Sequence, residues 1–299
     1  MSTAVIQHEA IGIAQVSYSV REFFRSVERD VTMAILHAYF DDSGDPRHEQ
    51  YMAVGGLIGT DQQFTDLDIM WGSATYDLKE PFRSTECETQ HGQFEEWDKK
   101  DCDALMRRLV EIIYQTRLHG FGSIVPVAEY RRVFPGAKEY DPYFLALRHT
   151  LINVAYIGAV RNSDRAGIID IRTVCEDSEA TSNAAKRVYD ELKSFDGWIW
   201  KKALAGFSTA SKKLMALQAS DMIAREAYKH AANIGIRKTR KPVKALHRNV
   251  SFHLWTRDAL EYLRDAGGPN SLLALTTWGQ TGVNPPQMSR FWGPTFDLS

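Results

Sequence analysis

Residues 34–44 read Ala-Ile-Leu-His-Ala-Tyr-Phe-Asp-Asp-Ser-Gly, a mostly apolar run that ends in two acids and a turn. The run predicts a buried strand over Ala34–Phe40, and a second apolar run, Tyr51–Ile58, predicts its antiparallel partner. Because a buried strand fixes its last side chains at the edge of the sheet, Asp41 and Asp42 are candidate site residues. The same residue types also suit an ordinary hairpin turn, and this segment alone leaves both interpretations open.

Strands and helices alternate beyond this hairpin, which predicts an α/β fold. We expect a core over residues 33–233, preceded by an N-terminal extension (1–32) and followed by a basic, partly helical C-terminal extension (234–299) that packs on the core. The acid-rich segment 81–98 is predicted to be a loop. Further strands are predicted over 121–127, 167–175 and 204–207, and helices over 62–78, 101–118, 141–160, 180–195, 214–233 and 253–266.

The composition excludes several classes of protein. The chain has 36 basic and 38 acidic residues, so its overall charge does not identify a polyanionic partner. Its three cysteines lack the spacing of zinc sites and are typical of a reducing compartment. No apolar run approaches the ~18 residues of a membrane span, and the N-terminus lacks the pattern of a secretory signal. We therefore expect a cytoplasmic protein that does not enter a membrane.

Two further groups of acids occur at positions that suit a site. Glu176 and Asp177 follow the predicted strand 167–175, where they either join Asp41 or favour the start of the next helix. Asp221 shares a helix face with apolar residues and with Gln218, according to the spacing of residues 214–228. A carboxylate in such a stripe is costly unless it is hydrogen-bonded, ion-paired or bound to a metal.

Three segments together, Tyr39–Asp45, Met52–Leu57 and Leu217–Ala224, resemble the family catalogued as domain of unknown function 3800. That family is placed in the ribonuclease H-like superfamily, whose members cut or join nucleic-acid phosphodiesters with two divalent metals. The resemblance implies a ribonuclease H-like mixed sheet flanked by helices, with helical insertions between residues 60 and 165. It also implies a Mg²⁺ or Mn²⁺ cofactor.

By position, the resemblance implies that Asp41, Asp221 and either Glu176 or Asp177 are the catalytic metal ligands. Asp42 stands where the family usually has Glu and is included among the catalytic residues. Arg83 stands where relatives often have His, which leaves the fourth ligand open between two acids of the same segment, Glu86 and Glu88.

A basic segment follows the Asp221 helix, with no Asp or Glu between Ala227 and Arg257. It predicts contact with a nucleic-acid backbone, with His247, Phe252 and Trp255 available for stacking. The alternatives are a solvated loop or an internal partner for the acidic stretch 77–103. The candidate substrate-binding residues are Lys212, Lys213, Gln218, Arg237, Lys238, Arg240 and Lys241.

These observations predict a metal-dependent phosphodiester hydrolase that acts on DNA or RNA. The alternative is a catalytically inactive ribonuclease H-like module that binds nucleic acid, a nucleotide or a protein, as in a defence or toxin-type system. Acids capped by lysines would favour that alternative. Aromatic residues in the tail, Trp278, Phe291 and Trp292, suggest a homodimer contact.

Overall fold

The computed structural model describes most of the chain from Ile35 onward. The described residues are 35–45, 47, 49–139, 141–162, 169–178, 181–234, 236, 238, 240–246, 249–272, 274–276 and 289–290. The expected N-terminal extension lies outside these residues, as do Arg237, His247 and the three tail aromatics that were expected at a dimer contact.

One mixed sheet forms the centre of the fold. Across the described residues its order is β5-β4-β1-β2-β3-β6-β7. Strand β2 runs antiparallel to both β1 and β3, and β7 runs antiparallel to β6. The other pairs are parallel: β4 with β1, β5 with β4, and β6 with β3. This arrangement resembles ribonuclease H-like topology. The strands are β1 (Ile35–Gly44), β2 (Tyr51–Thr60), β3 (His119–Pro126), β4 (Asp170–Glu176), β5 (Leu204–Ala210), β6 (Val250–Leu254) and β7 (Ser289–Arg290).

Helices cover both faces of this sheet. The helices of the described residues are α1 (Asp61–Ala74), α2 (Ser84–Thr89), α3 (Lys99–Gln115), α4 (Val127–Val133), α5 (Asp141–Asn162), α6 (Ser182–Ser194), α7 (Met215–Asn233), α8 (Lys241–Leu246) and α9 (Arg257–Asp265). Two hydrophobic clusters show how they are divided. One, the α5 layer, contains residues of α4, α5, α6 and α9, and the other, the α7 layer, contains residues of α1, α2, α3, α7 and α8. The molecule therefore has three layers, with the sheet in the middle.

Strand β1 contributes to both layers because its side chains alternate between the two faces. Leu36, Ala38 and Phe40 are buried in the α5 layer, whereas Tyr39 packs against the α7 layer. The strand predicted from its apolar run is confirmed, and it continues through both acids to Gly44.

Helix α7 crosses β2 at a glycine. A Cβ atom at Gly55 would lie 2.5 Å from the backbone nitrogen of Ala224, so only glycine permits this close approach. The hydroxyl of Ser220 donates to the carbonyl oxygen of Tyr39 at 3.0 Å and ties the same helix to β1. These two contacts set the height of α7, and with it Asp221, above the strands.

The structure differs from the predicted elements in several short segments. The segment 81–98, predicted to be a loop, contains α2 and a 3₁₀ turn at Gly92–Phe94. Helices α4 and α8 and strand β6 were not predicted, and α9 begins at Arg257 rather than at residue 253. No helix in the described part of the chain has the length and hydrophobicity that a membrane crossing needs.

Candidate functional site

Three of the predicted acids meet at one point, and a lysine occupies that point. The Lys212 Nζ atom lies 2.7 Å from Asp41 Oδ2, 3.0 Å from Asp221 Oδ1 and 3.4 Å from Glu176 Oε2. Asp41, Asp221 and Lys212 are buried, and Glu176 is half-buried. We call these four residues the carboxylate–lysine cluster.

Strand pairing brings Asp41 and Glu176 together. Strands β1 and β4 are parallel neighbours, and Phe40 pairs with Cys175, so the next residue of each strand reaches the same edge of the sheet. Successive side chains of a strand point to opposite faces, so only one of Glu176 and Asp177 is able to share a face with Asp41. The register selects Glu176.

Asp221 is held by a helix from the segment that was predicted to be a loop. The backbone N–H of Ser84 donates to Asp221 Oδ2 at 2.9 Å, and the Ser84 hydroxyl donates to the same oxygen at 2.5 Å. Oδ2 is therefore fixed by Ser84 while Oδ1 faces Lys212. The expectation that Asp221 must have a polar partner in its apolar stripe is confirmed.

Gln218 holds the backbone around the cluster. Its Oε1 accepts from the indole N–H of Trp71 at 3.0 Å and from the backbone N–H of Phe82 at 3.1 Å, and its Nε2 donates to the carbonyl oxygen of Lys212 at 3.1 Å. The side chain is buried, and its amide joins α1, the segment before α2 and the Lys212 turn. Its predicted role in substrate binding stays a prediction.

The cluster carries more negative than positive charge, because three carboxylates face one ammonium group. Burial raises the pKa of Asp41 well above its usual value; Lys212 opposes this shift, whereas Asp221, Glu176 and Asp42 add to it. Burial disfavours the charged form of Lys212, but the attraction of Asp221, Asp41 and Glu176 is stronger and raises its pKa. Lys212 therefore stays charged at neutral pH.

The acids of the cluster are of the chemical type that binds divalent metals, but a lysine lies among them. Carboxylate oxygens are the ligands that Mg²⁺ and Mn²⁺ prefer, and here they come from β1, β4 and α7. Among the described residues, no group of three His, Cys, Asp or Glu side chains is placed so that it could hold a metal ion. A metal at this position would have to displace the Lys212 ammonium.

The neighbouring acids of the predicted set lie elsewhere. Asp177 is exposed, and its Oδ1 accepts from the Ser182 hydroxyl at 3.0 Å. Helix α6 begins at Ser182 with Thr181 as its N-cap, so Asp177 lies before the first turn of the helix. Asp42 follows Asp41 in β1, so its side chain leaves the opposite face of the sheet. Lys213 is exposed, in contrast to Lys212.

The basic side chains in the second half of α7 and in the segment after it have an internal partner. Glu88 on α2 lies 3.1 Å from Arg225 Nη2, 3.4 Å from Lys229 Nζ and 2.9 Å from Arg240 Nη1. Burial would raise the pKa of Glu88, but these three cations hold it below its usual value. Pairing with the acidic stretch 77–103, one of the alternatives, is therefore found for Glu88, and Glu88 does not join the carboxylate–lysine cluster.

The remaining residues of this segment differ in exposure. Lys238 and Lys241 are exposed and Arg240 is half-buried. Phe252 is buried in the α7 layer and Trp255 in the α5 layer, so the expectation that they stack on bases is wrong. Glu86 Oε1 lies 3.9 Å from Arg83 Nε, and whether Glu86 acts as a ligand stays a prediction.

Sequence reasoning missed Ser84 entirely and did not foresee that Lys212 would contact the acids. A lysine ahead of a helix carries no signal that distinguishes a phosphate contact from an ion pair with distant carboxylates. In comparisons with known proteins, no family model matches the chain and no curated protein matches it. The resemblance to the family of unknown function therefore stays a prediction.

Proposed function

We propose that the chain is a metal-dependent phosphodiester hydrolase that acts on DNA or RNA at the carboxylate–lysine cluster. The observation that carries the proposal is the convergence of Asp41, Glu176 and Asp221, from three distant segments, on one cation position. Such convergence is costly in a buried place and is typical of sites that bind positive charge. The ribonuclease H-like arrangement of the sheet is consistent with it.

In hydrolysis of a phosphodiester, a water oxygen forms a bond to phosphorus, the bond to the leaving oxygen breaks, and that oxygen takes a proton. Divalent ions, when bound, supply charge neutralisation at the phosphoryl oxygens and lower the pKa of the attacking water. Asp41, Glu176 and Asp221 would hold them. Ser84 keeps one oxygen of Asp221 fixed, so the other oxygen needs little reorganisation when a ligand arrives.

The Lys212 ammonium balances part of the carboxylate charge, and divalent ions held by these acids would have to take its place. A lysine is a suitable point charge for a phosphate, so Lys212 would then be available to bind that group. Its raised pKa makes it a poor proton donor at neutral pH, so we assign it charge neutralisation and not acid catalysis.

A second candidate function is favoured by the same lysine. In an inactive ribonuclease H-like module, a lysine ammonium would occupy the position of the metal permanently. The Lys212 ammonium among the acids agrees with that arrangement. In that case the chain binds nucleic acid, a nucleotide or a protein without cleaving it. The two candidates differ in one measurable property, which is whether the cluster exchanges its lysine for a divalent ion.

Labelled single- and double-stranded DNA and RNA should be incubated with the protein in Mg²⁺ or Mn²⁺. We expect cleavage that Asp41→Asn, Glu176→Gln and Asp221→Asn each reduce by about 10³-fold or more, because each removes a ligand of one site. Asp177→Asn is the matched control, since this acid is adjacent to Glu176 but outside the cluster, and it should retain activity. If no substrate is cleaved, or Asp177→Asn loses as much as Glu176→Gln, the hydrolase proposal is wrong.

A further inference from the structure

A second charged site lies farther along α7, at a cavity of about 520 Å³. Three basic side chains line it, Lys229, Lys238 and Arg240, against a single lining carboxylate, Glu88. We call it the α7 cavity. Its volume is in the range of pockets that hold small ligands, about 300–1,000 Å³.

Glu88 does not saturate the cations around it. Its Oε2 accepts from Arg225 Nε and Nη2, and its Oε1 is shared by Lys229 and Arg240. An ammonium has three donors and a guanidinium has five, so Lys229 and Arg240 have donor capacity beyond these contacts. Two further acids are close to the cavity. Glu226 is fully buried beneath Arg240, 3.2 Å from its Nη2 atom. Burial raises the pKa of Tyr228 and the charge of Asp45 raises it further, and Asp45 is itself hydrogen-bonded by the backbone N–H of Gln50 at 2.9 Å.

The remaining lining of the cavity suits a ligand larger than a bare ion. The ring of Tyr228 lies beneath the Arg225 guanidinium at 5.5 Å, and its hydroxyl donates to Gln50 Oε1 at 3.4 Å. An aromatic ring, an amide and an excess of basic donors are the groups that recognise a phosphate attached to a sugar or base.

We infer that the α7 cavity binds the phosphate group of a nucleotide, held by Lys229, Lys238 and Arg240. The nucleotide is either free or part of a strand, and the two sources share this chemistry. The inference does not require the carboxylate–lysine cluster to be catalytic. Lys229 is eight residues beyond Asp221, which corresponds to about 12 Å along the helix, so the two sites are separate but neighbouring.

Binding should be measured by calorimetry in EDTA, which removes divalent ions and makes the result independent of cleavage. The probes are inorganic phosphate, adenosine monophosphate and a single-stranded oligonucleotide. We expect the wild type to bind at least one phosphate probe, and Lys229→Met and Lys238→Met each to weaken that binding about tenfold, because each removes a charge-assisted hydrogen bond. Lys238 is exposed, so its replacement leaves folding intact even if that of Lys229 does not.

Lys241→Met is the matched control, because Lys241 is exposed in the same basic segment but does not line the cavity. If the cavity variants bind the monophosphate tenfold more weakly than the wild type but bind the oligonucleotide equally well, the ligand is a free nucleotide. If they bind the oligonucleotide tenfold more weakly, the ligand is a phosphate of a strand. The inference is overturned if the wild type binds none of the probes at millimolar concentration, or if Lys241→Met weakens binding as much as Lys238→Met. A failed cleavage assay with intact phosphate binding would remove only the proposed hydrolase.

Discussion

Replacing Lys212 by Met should destabilise the protein in EDTA and make its stability depend on divalent ions. The Nζ atom makes three contacts of 2.7, 3.0 and 3.4 Å with carboxylates. At an effective dielectric constant of about 20, each contact contributes roughly 5 kcal/mol of attraction, which the desolvation of the ammonium offsets in large part. The summed attraction of the three contacts therefore overstates the free energy of unfolding that the variant loses.

Proton uptake sets an upper limit on the loss in the free energy of unfolding. Without the ammonium, the variant can remove one negative charge from the cluster by binding one further proton. A carboxyl with an ordinary pKa near 3.8 costs about 4 kcal/mol to protonate at pH 7 and about 2 kcal/mol at pH 5. We therefore expect Lys212→Met to lower the free energy of unfolding by up to about 4 kcal/mol at pH 7, with a smaller loss at pH 5. This agrees with the 3–5 kcal/mol typical of breaking a buried ion pair.

Urea unfolding, followed by circular dichroism in EDTA and again in millimolar Mg²⁺ or Mn²⁺, measures both effects. Because the variant lacks the competing ammonium, a divalent ion should restore about 3 kcal/mol at a hundredfold excess over its dissociation constant, and less in the wild type. Lys213→Met, at the exposed neighbouring position, should change neither value. The reasoning is refuted if Lys212→Met is as stable as the wild type in EDTA, or if the two lysine variants respond alike to metal.

Two further predictions concern α7. Gly55→Ala should cost about 1–3 kcal/mol of stability and reduce any activity of the cluster, because the added methyl pushes Ala224, and with it Asp221, away from the sheet. Gly206→Ala is the control, because a Cβ atom there would have nothing within 4 Å. Equal melting temperatures of the two variants would contradict the prediction. Burial raises the pKa of Glu226 to about 7 from an ordinary 4.5, so the folded state holds its proton more tightly than the unfolded state, and the stability this proton provides is lost as pH rises from about 4.5 through 7. Glu226→Gln should reduce the fall in the free energy of unfolding between about pH 4.5 and 8 by up to about 3 kcal/mol. Urea unfolding at several pH values measures this fall, with Glu95→Gln, at an exposed position, as the control. An unchanged pH profile would contradict the prediction.

The sequence allowed the positions of the three acids to be predicted because each lies at a point that local patterns define. Asp41 follows the apolar part of a strand, Glu176 ends another strand, and Asp221 interrupts the apolar stripe of a long helix. The choice between Glu176 and Asp177 was left open because it depends on the register between β1 and β4. A shift of one residue would exchange the two side chains between faces, and no local pattern fixes that register.

The missed elements owe their stability to distant contacts. Helices α2 and α8 have six residues each, too few to be stable in water without tertiary packing. Strand β6 is only five residues long and forms by parallel pairing with β3, more than a hundred residues earlier in the chain. The basic segment looked uncompensated in sequence because Glu88 reaches it only through the fold.

Helices α2 and α7 connect the two charged sites in a regular way. Ser84 contacts Asp221 and Glu88 contacts Arg225, and the residues of each pair are 137 positions apart. Because the separation is the same for both pairs, the two helices run in the same direction at this contact. About one turn of each helix therefore connects the two sites. Each site contains an internal counter-ion, a lysine among acids and a glutamate among bases. An external metal or phosphate therefore has to compete with a side chain of the chain itself, which lowers its apparent affinity. The same competition keeps the charges buried at tolerable cost when no ligand is bound.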